Sequence, residues 1–339
     1  MFVLLILLLF QNIALASSTS YFAIQPISRG PPYGGTIDTF DLQSLTLHFY
    51  ANFSFYLPPD NHTDVHWFTP GPVAVIDQNQ STIITALQSN DFGTPLHLFR
   101  YNIPTKTYIQ SPWILNSSHF DYLHYDPRRQ RLFGSREVNI SLIVIEEYNT
   151  TTLNLVQVYT QLTRSQYGYP PRASIFDPDE NWLVDIRVGL ESHNPVYYMK
   201  MDLNLVGKSE NIVTAYHPIL KHGMLLSMIY DMKTKRAFVI WDTNDILTGI
   251  VMLYMNPHTG EFHQERSFVQ APPLWSVSNL QASFDESTRQ VIFFMTLSNL
   301  LTTEKNAWII QVEFDTMKII KQTQIYPEIR PIEWSFFVF

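Results

Sequence analysis

Five stretches of this chain repeat one local pattern at an interval of about 50 residues, and that repeat restricts the possible folds more than any other feature. The copies read Val75-Ile76-Asp77, His124-Tyr125-Asp126, Ile175-Phe176-Asp177, Ile229-Tyr230-Asp231 and Ser283-Phe284-Asp285, with Asp-to-Asp spacings of 49, 51, 54 and 54. After each Asp come turn residues and a second apolar run, at Ile83-Ile84, Leu132-Phe133, Leu183-Val184, Ala237-Phe238 and Val291-Ile292. Short β-branched and aromatic runs around a polar turn predict strand, tight turn, strand, with the Asp side chain capping the turn. A second landmark follows in every copy, an apolar residue before Asn or Asp: Tyr101-Asn102, Tyr148-Asn149, Met201-Asp202, Met255-Asn256 and Phe314-Asp315. It is expected to end a third strand and open the turn into a fourth. A helical reading fails, because the apolar runs are too short and lack a 3.6-residue period.

The chain ends carry the same register. Phe40-Asp41 is a sixth copy of the second landmark, yet its unit holds only three strands, at residues 21–27, 36–41 and 46–53, and lacks a first. The C-terminus holds one orphan strand, residues 332–339, where a further unit would begin. Pairing the orphan with residues 21–27 completes a sixth unit and leaves no long exposed edge. Four antiparallel strands per repeat, six repeats and this closure resemble six-bladed β-propellers in general. No WD or kelch signature residues are present, and the pattern points to no named family. The expectation is therefore an all-β, six-bladed β-propeller with four antiparallel strands per blade, closed by the C-terminal strand joining the N-terminal blade. It forms a single domain over residues 17–339.

Residues 1–16 read as a signal peptide. Residues 2–10 are an unbroken apolar run, too short to span a bilayer, and Ala14-Leu15-Ala16 supplies a small-x-small cleavage pattern. Cleavage leaves Ser17 first, no membrane span in the mature chain, and a location outside the cell or in the lumen of the secretory route. Cysteine is absent, which removes disulfides, thiol catalysis and cysteine-based metal sites together. A formal charge of −8 disfavours nucleic acid as a partner. Six N-x-[ST] sequons occur, at Asn52, Asn61, Asn79, Asn116, Asn139 and Asn149, more than chance supplies. All fall between residues 52 and 149, so glycans would coat the first half of the repeat and leave the second bare.

Signatures of known chemistry are missing. There is no HExxH pair for zinc, no phosphate-binding glycine loop and no G-x-S-x-G elbow. No residue is assigned as catalytic and no metal ligand is assigned. Propellers bind at the axis, where the innermost strands begin, and the repeat places Asp121, Arg172, His222, Asn279 and Glu333 there as candidate binding residues. Calcium asks for several converging oxygen ligands. Asp121, Asn279 and Glu333 could supply some of them, whereas Arg172 would oppose a cation.

Two functions follow. The leading one is a non-catalytic binding or scaffold glycoprotein, monomeric and without a cofactor, whose ligand is a protein, a glycan or a small molecule. The alternative is a metal-assisted hydrolase resembling six-bladed lactonases, with calcium at the axis. The fold alone does not separate them.

Overall fold

A computed structural model of the chain describes residues 21–26, 33–41, 46–55, 67–68, 74–77, 81–89, 97–112, 119–139, 142–163, 173–188, 196–205, 210–215, 223–243, 249–269, 275–302, 304–325 and 335–338. Residues 1–16, expected to form a signal peptide, lie outside them. All regular structure among the described residues is β.

In chain order the strands are β1 (Tyr21–Pro26), β2 (Tyr33–Asp41), β3 (Thr46–Phe55), β4 (Trp67–Phe68), β5 (Ala74–Asp77), β6 (Thr82–Ser89), β7 (His97–Asn102) and β8 (Thr107–Gln110). Then come β9 (His119–Asp126), β10 (Arg131–Asn139), β11 (Leu142–Asn149), β12 (Leu155–Thr163), β13 (Ser174–Asp177), β14 (Trp182–Val188), β15 (Val196–Asp202) and β16 (Glu210–Ala215). The last are β17 (Met224–Asp231), β18 (Arg236–Asp242), β19 (Ile250–Met255), β20 (Phe262–Val269), β21 (Trp275–Asp285), β22 (Gln290–Asn299), β23 (Lys305–Glu313), β24 (Lys318–Ile325) and β25 (Ser335–Val338).

These strands form antiparallel sheets arranged as a β-propeller. Five sheets are plain four-stranded blades: β25-β1-β2-β3, β9 to β12, β13 to β16, β17 to β20 and β21 to β24. The remaining sheet corrects the expectation of four strands in every blade, because it has five. Its β4 pairs with the far end of β6, Trp67 opposite Ser89, while β5 pairs with the near end, Ile76 opposite Ile83. Between β4 and β5 the sequence holds Pro70 and Pro72. Proline has no N–H to give a ladder, so an unbroken inner strand is disfavoured there.

The C-terminal strand pairs antiparallel with the N-terminal one, Tyr21 opposite Val338 and Ile24 opposite Ser335. The first strands of the sheets also touch one another in order: β5 with β9, β9 with β13, β13 with β17, β17 with β21, β21 with β25 and β25 with β5.

The turns explain why the repeat is so visible. Asp126 Oδ1 accepts the N–H groups of Arg128 and Arg129 at 3.0 and 3.2 Å, and Asp177 Oδ1 those of Asp179 and Glu180 at 2.8 and 3.1 Å. Asp285 Oδ1 holds Ser287 and Thr288 in the same way. The fourth residue after each Asp takes a positive φ: Ser81, Gln130, Asn181, Lys235 and Arg289. Asn102, Asn149 and Asn256 act likewise at the third-to-fourth turns, with Lys106, Leu153 and Gly260 in the left-handed region. In the last sheet the turn starts at Glu313 rather than at the Phe314-Asp315 landmark. Met317 has the positive φ there, and Thr316 Oγ1 donates to Glu313 at 2.5 Å. Asp315 is used differently, as an ion-pair partner of Arg289 and Arg236.

The same Asp residues also tie neighbouring sheets. Asp177 accepts from Lys235 Nζ at 2.7 Å and from the Tyr230 hydroxyl at 2.6 Å, and Asp231 pairs with Arg289 at 2.8 Å. For Asp177, burial works to raise the carboxyl pKa, but the bonds from Lys235, Tyr230 and the turn amides outweigh it and leave it below the usual range.

Between neighbouring sheets the core is apolar, and strands covered on both sides are apolar on both faces. Leu183 and Met199 pack back onto Tyr122, Phe133 and Ile145, while Val184 and Tyr198 pack forward onto Leu225, Val239 and Trp241. Phe238, Tyr254, Phe293 and Phe314 fill the next layer, with Phe238–Phe314 and Tyr254–Phe314 ring centroids 5.7 and 5.9 Å apart.

Candidate functional site

Buried charged groups break this apolar rule in two layers. Between the β9–β12 and β13–β16 sheets, the end away from the Asp turns is polar, and it is built from strand residues rather than loops. Along β14 the residues alternate: Trp182, Val184 and Ile186 face one sheet, while Leu183, Asp185 and Arg187 face the other. Both faces are buried, so Asp185 and Arg187 are enclosed, each 0% exposed. Arg187 Nη2 donates to Asp185 Oδ2 at 2.9 Å. The hydroxyl of Tyr122, on β9, donates to the same oxygen at 3.2 Å.

Asp121 enters through an irregularity of β9. Tyr122 lies opposite Ser135 and Phe120 opposite Arg136, so Asp121 is the extra residue of a β-bulge. A bulge re-aims the side chain it carries. Here it sends the Asp121 carboxylate to the Ser135 hydroxyl, 2.8 Å away. On the turn side of the same layer, His124 Nε2 and Ser174 Oγ share a hydrogen bond at 2.5 Å. Burial pushes that imidazole pKa down to about 3, so His124 is neutral at physiological pH.

Electrostatics in the layer are set by enclosure. Burial raises the Asp185 carboxyl to about 6; Arg187 and Tyr122 oppose the rise and Asp121 adds to it. Burial also pushes the Tyr122 phenol well above its usual value, with Asp185 and Asp121 reinforcing the shift. Within this layer, three buried side-chain atoms make no hydrogen bond: Asp185 Oδ1, Arg187 Nε and Arg187 Nη1. Buried donors and acceptors without partners are costly.

A second buried charged group lies on the opposite face of β10. Arg136 grips Glu146 with two bonds, Nε to Oε2 at 2.8 Å and Nη2 to Oε1 at 2.7 Å, and the Tyr148 hydroxyl also donates to Glu146. This bidentate pair has the geometry of a structural clamp between β10 and β11.

Of the five axis candidates, Asp121 joins the polar layer. Asn279 lies on β21 opposite Thr296, beside a break in register between Val277 and Asn279, and its side chain is outside the described residues. Arg172, His222 and Glu333 lie outside them altogether. Among the described residues no group of three or more His, Cys, Asp or Glu is placed to hold a metal ion. Asp121 has Ser135 on one oxygen and shares its surroundings with the Arg187 guanidinium, which does not suit calcium. Three sequons fall on exposed described residues, Asn52, Asn139 and Asn149, whereas Asn61, Asn79 and Asn116 lie outside. Asn149 uses Oδ1 to hold its turn, on the amides of Thr151 and Thr152, and a glycan would take Nδ2 instead.

Asp185, Arg187, Tyr122 and Ser135 were not among the sequence candidates. The signal for the first two was present: residues 182–188 read Trp-Leu-Val-Asp-Ile-Arg-Val, a strand apolar on both faces that carries two charges on one of them. Nothing local marks Tyr122 or Ser135.

No family model matches this chain, and no curated protein matches its sequence. Solved structures do match in shape. A protein from Lactobacillus plantarum superposes with a TM-score of 0.53 at 12% identity, over 95% of this chain and 100% of that one. A putative 6-phosphogluconolactonase from Bacteroides fragilis gives 0.57 at 10% identity, over 91% of this chain and 82% of its own. A putative TolB from Agrobacterium tumefaciens gives 0.51 at 9%, over 91% of both chains. At such identities the likeness establishes the propeller fold and nothing about activity. No helix among the described residues is long and apolar enough to cross a membrane.

Proposed function

We propose that this chain is a lactonase-like hydrolase that opens a small cyclic ester in the polar layer between β9 and β14. One observation carries the reading. Asp185, with its pKa near 6, shares one carboxylate oxygen with Arg187 and Tyr122 while its other oxygen and two guanidinium nitrogens stay open. A carboxylate poised near neutral pH is suited to general-base work. Donors fixed beside it are suited to a carbonyl oxygen that becomes negative. In this scheme water attacks the ester carbonyl carbon and Asp185 takes its proton. The Arg187 donors hold the developing oxyanion, and the proton passes to the ring oxygen as the C–O bond breaks, giving a hydroxy acid. The step needs no metal.

A putative 6-phosphogluconolactonase with the same fold is consistent with this chemistry, and the choice over a scaffold rests on the Asp185 and Arg187 geometry. The binding-scaffold reading rests on the signal-peptide segment, the sequons, the repeat fold and the missing catalytic signatures, none of which identifies a ligand-binding side chain.

The test is ring opening of glucono-1,5-lactone and a panel of five- and six-membered lactones by the purified full chain, followed by proton release. Acceleration over the spontaneous rate is expected, with kcat/KM rising as pH passes through about 6. Asp185→Asn should lower kcat by a factor of about 10² or more, the usual contribution of a positioned base. Absence of any protein-dependent acceleration across the panel would overturn the proposal.

Two further readings belong with it. The six sheets make one closed six-bladed ring, supported by the β1–β25 pairing and by the unbroken cycle of contacts among first strands. The chain is exported and glycosylated, supported by residues 1–16 and by the exposure of Asn52, Asn139 and Asn149. Protein secreted from eukaryotic cells is then expected to begin at or near Ser17 and to lose mass when N-glycans are enzymatically removed. Recovery of Met1, or an unchanged mass, would refute export and glycosylation respectively.

A further inference from the structure

We infer that the open atoms of Asp185 and Arg187 recognise an uncharged, hydroxyl-bearing ring rather than a phosphorylated or carboxylated one. The inference rests on the hydrolase reading for the claim that the ring is a substrate. It rests on the geometry alone for the chemistry of recognition.

A buried guanidinium is usually taken as an anion site, but this one is already neutralised by Asp185 at 2.9 Å. What the pair leaves open is mixed: two donor nitrogens on Arg187 and one acceptor oxygen on Asp185, two residues apart on the same face of β14. A phosphate or carboxylate offers acceptors only, so it would satisfy the donors and leave Asp185 Oδ1 unmatched. It would also bring negative charge to a layer that already holds the carboxyls of Asp185 and Asp121. A hydroxyl both donates and accepts. Two neighbouring hydroxyls on one ring match the set: in a sugar that is not hydrolysed, the first accepts from Arg187 in the place of the lactone carbonyl, and the second donates to Asp185 Oδ1 in the place of the attacking water. Tyr122 is spent on Asp185 Oδ2 and holds the carboxylate in place for that contact. A site with buried donors and acceptors discriminates strongly, because a ligand lacking the matching group leaves them unpaired.

Glucose and glucose 6-phosphate separate these possibilities, since neither is hydrolysed and they differ only in the charged group. Calorimetry and saturation-transfer NMR on the full chain should show glucose binding and glucose 6-phosphate binding at least about tenfold more weakly. Arg187→Lys keeps the charge but loses the planar fork, and should weaken glucose about tenfold in protein whose melting is still cooperative. The comparison of the two sugars on the unaltered chain stands whether or not the variant folds. Equal or tighter binding of the phosphorylated sugar would overturn the inference. So would binding of neither, which would mean that water alone fills the layer. If glucose binds but no lactone is opened, the hydrolase reading fails and this inference stands; if lactones are opened but glucose does not bind, the reverse holds.

Discussion

A chain truncated after residue 330 should fail to unfold cooperatively, and most of it should be recovered as aggregate. The removed segment contains β25, which supplies the partner of β1 and also touches β5 and β21. Its loss therefore strips one blade of its first strand and breaks the contact between first and last repeats in a single step. Backbone bonds in the β1–β25 ladder are worth about 1 kcal/mol each. The larger penalty is that β1 becomes an open edge, with unpaired N–H and C=O groups free to template association. Against a net stability of about 5–15 kcal/mol for a domain, the loss is large enough to abolish folding. The check is thermal melting with a rescue arm, in which a synthetic peptide of residues 331–339 restores a transition when added during refolding. A truncated chain that melts cooperatively within a few degrees of the full-length one would show that the terminal pairing is dispensable.

The second large effect is expected at Arg187. Replacing it with Met removes the counter-charge of a fully buried carboxylate. Breaking a buried pair from one side typically costs about 3–5 kcal/mol. At roughly 2–4 °C per kcal/mol for a protein of 150–250 residues, and less for a larger one, melting should fall by on the order of 10 °C at pH 8. The deficit must depend on pH in one direction. Asp185 already has a raised pKa in the fold, so the folded state binds its proton more tightly than the unfolded state, whose carboxyl titrates near 3.9. Stability from this group is present below the unfolded pKa and is lost as pH rises through about 6. Removing Arg187, which holds that pKa down, extends the loss to higher pH. The variant should therefore sit close to the parent at pH 5 and well below it at pH 8. Adding Asp185→Leu to Arg187→Met should recover most of the difference, since two apolar neighbours leave no stranded charge. A deficit of equal size at both pH values would show that packing, not charge, accounts for it.

The repeat could be read from residue types because its cause is local. The first turn uses an Asp to hold backbone amides, two each at Asp126, Asp177 and Asp285 and one at Asp231, and a residue four positions later that accepts a positive φ, so Asp77, Asp126, Asp177, Asp231 and Asp285 recur in register. Where another side chain can do the job, the reading slips. Glu313 opens the final turn, and Asp315, which has the landmark sequence, is recruited by Arg289 and Arg236 instead. The divided first strand of the β5–β8 sheet escaped for a similar reason. Pro70 and Pro72 announce a break, but not that β4 would return to the same edge of β6.

The polar layer was less legible. Asp121 is legible as the start of a first strand, but the bulge, which the repeat does not show, is what aims it at Ser135. Asp185 lies on β14, a second strand, away from the first-strand positions that the repeat assigns to the axis.

By itself, then, the sequence determined what depends on contacts a few residues long: strands, turn caps, their period, and hence an all-β propeller without disulfides. Tertiary structure decided which faces meet. Tyr122 and Asp185 are 63 residues apart, and Lys235 lies 58 from Asp177, so their bonds exist only once successive sheets stack. The enclosure that raises the Asp185 pKa and leaves three polar atoms open belongs to that stacking. Residues 182–188 are apolar on both faces, but which sheet encloses Asp185 and Arg187 is a property of the neighbours and is not written in that segment.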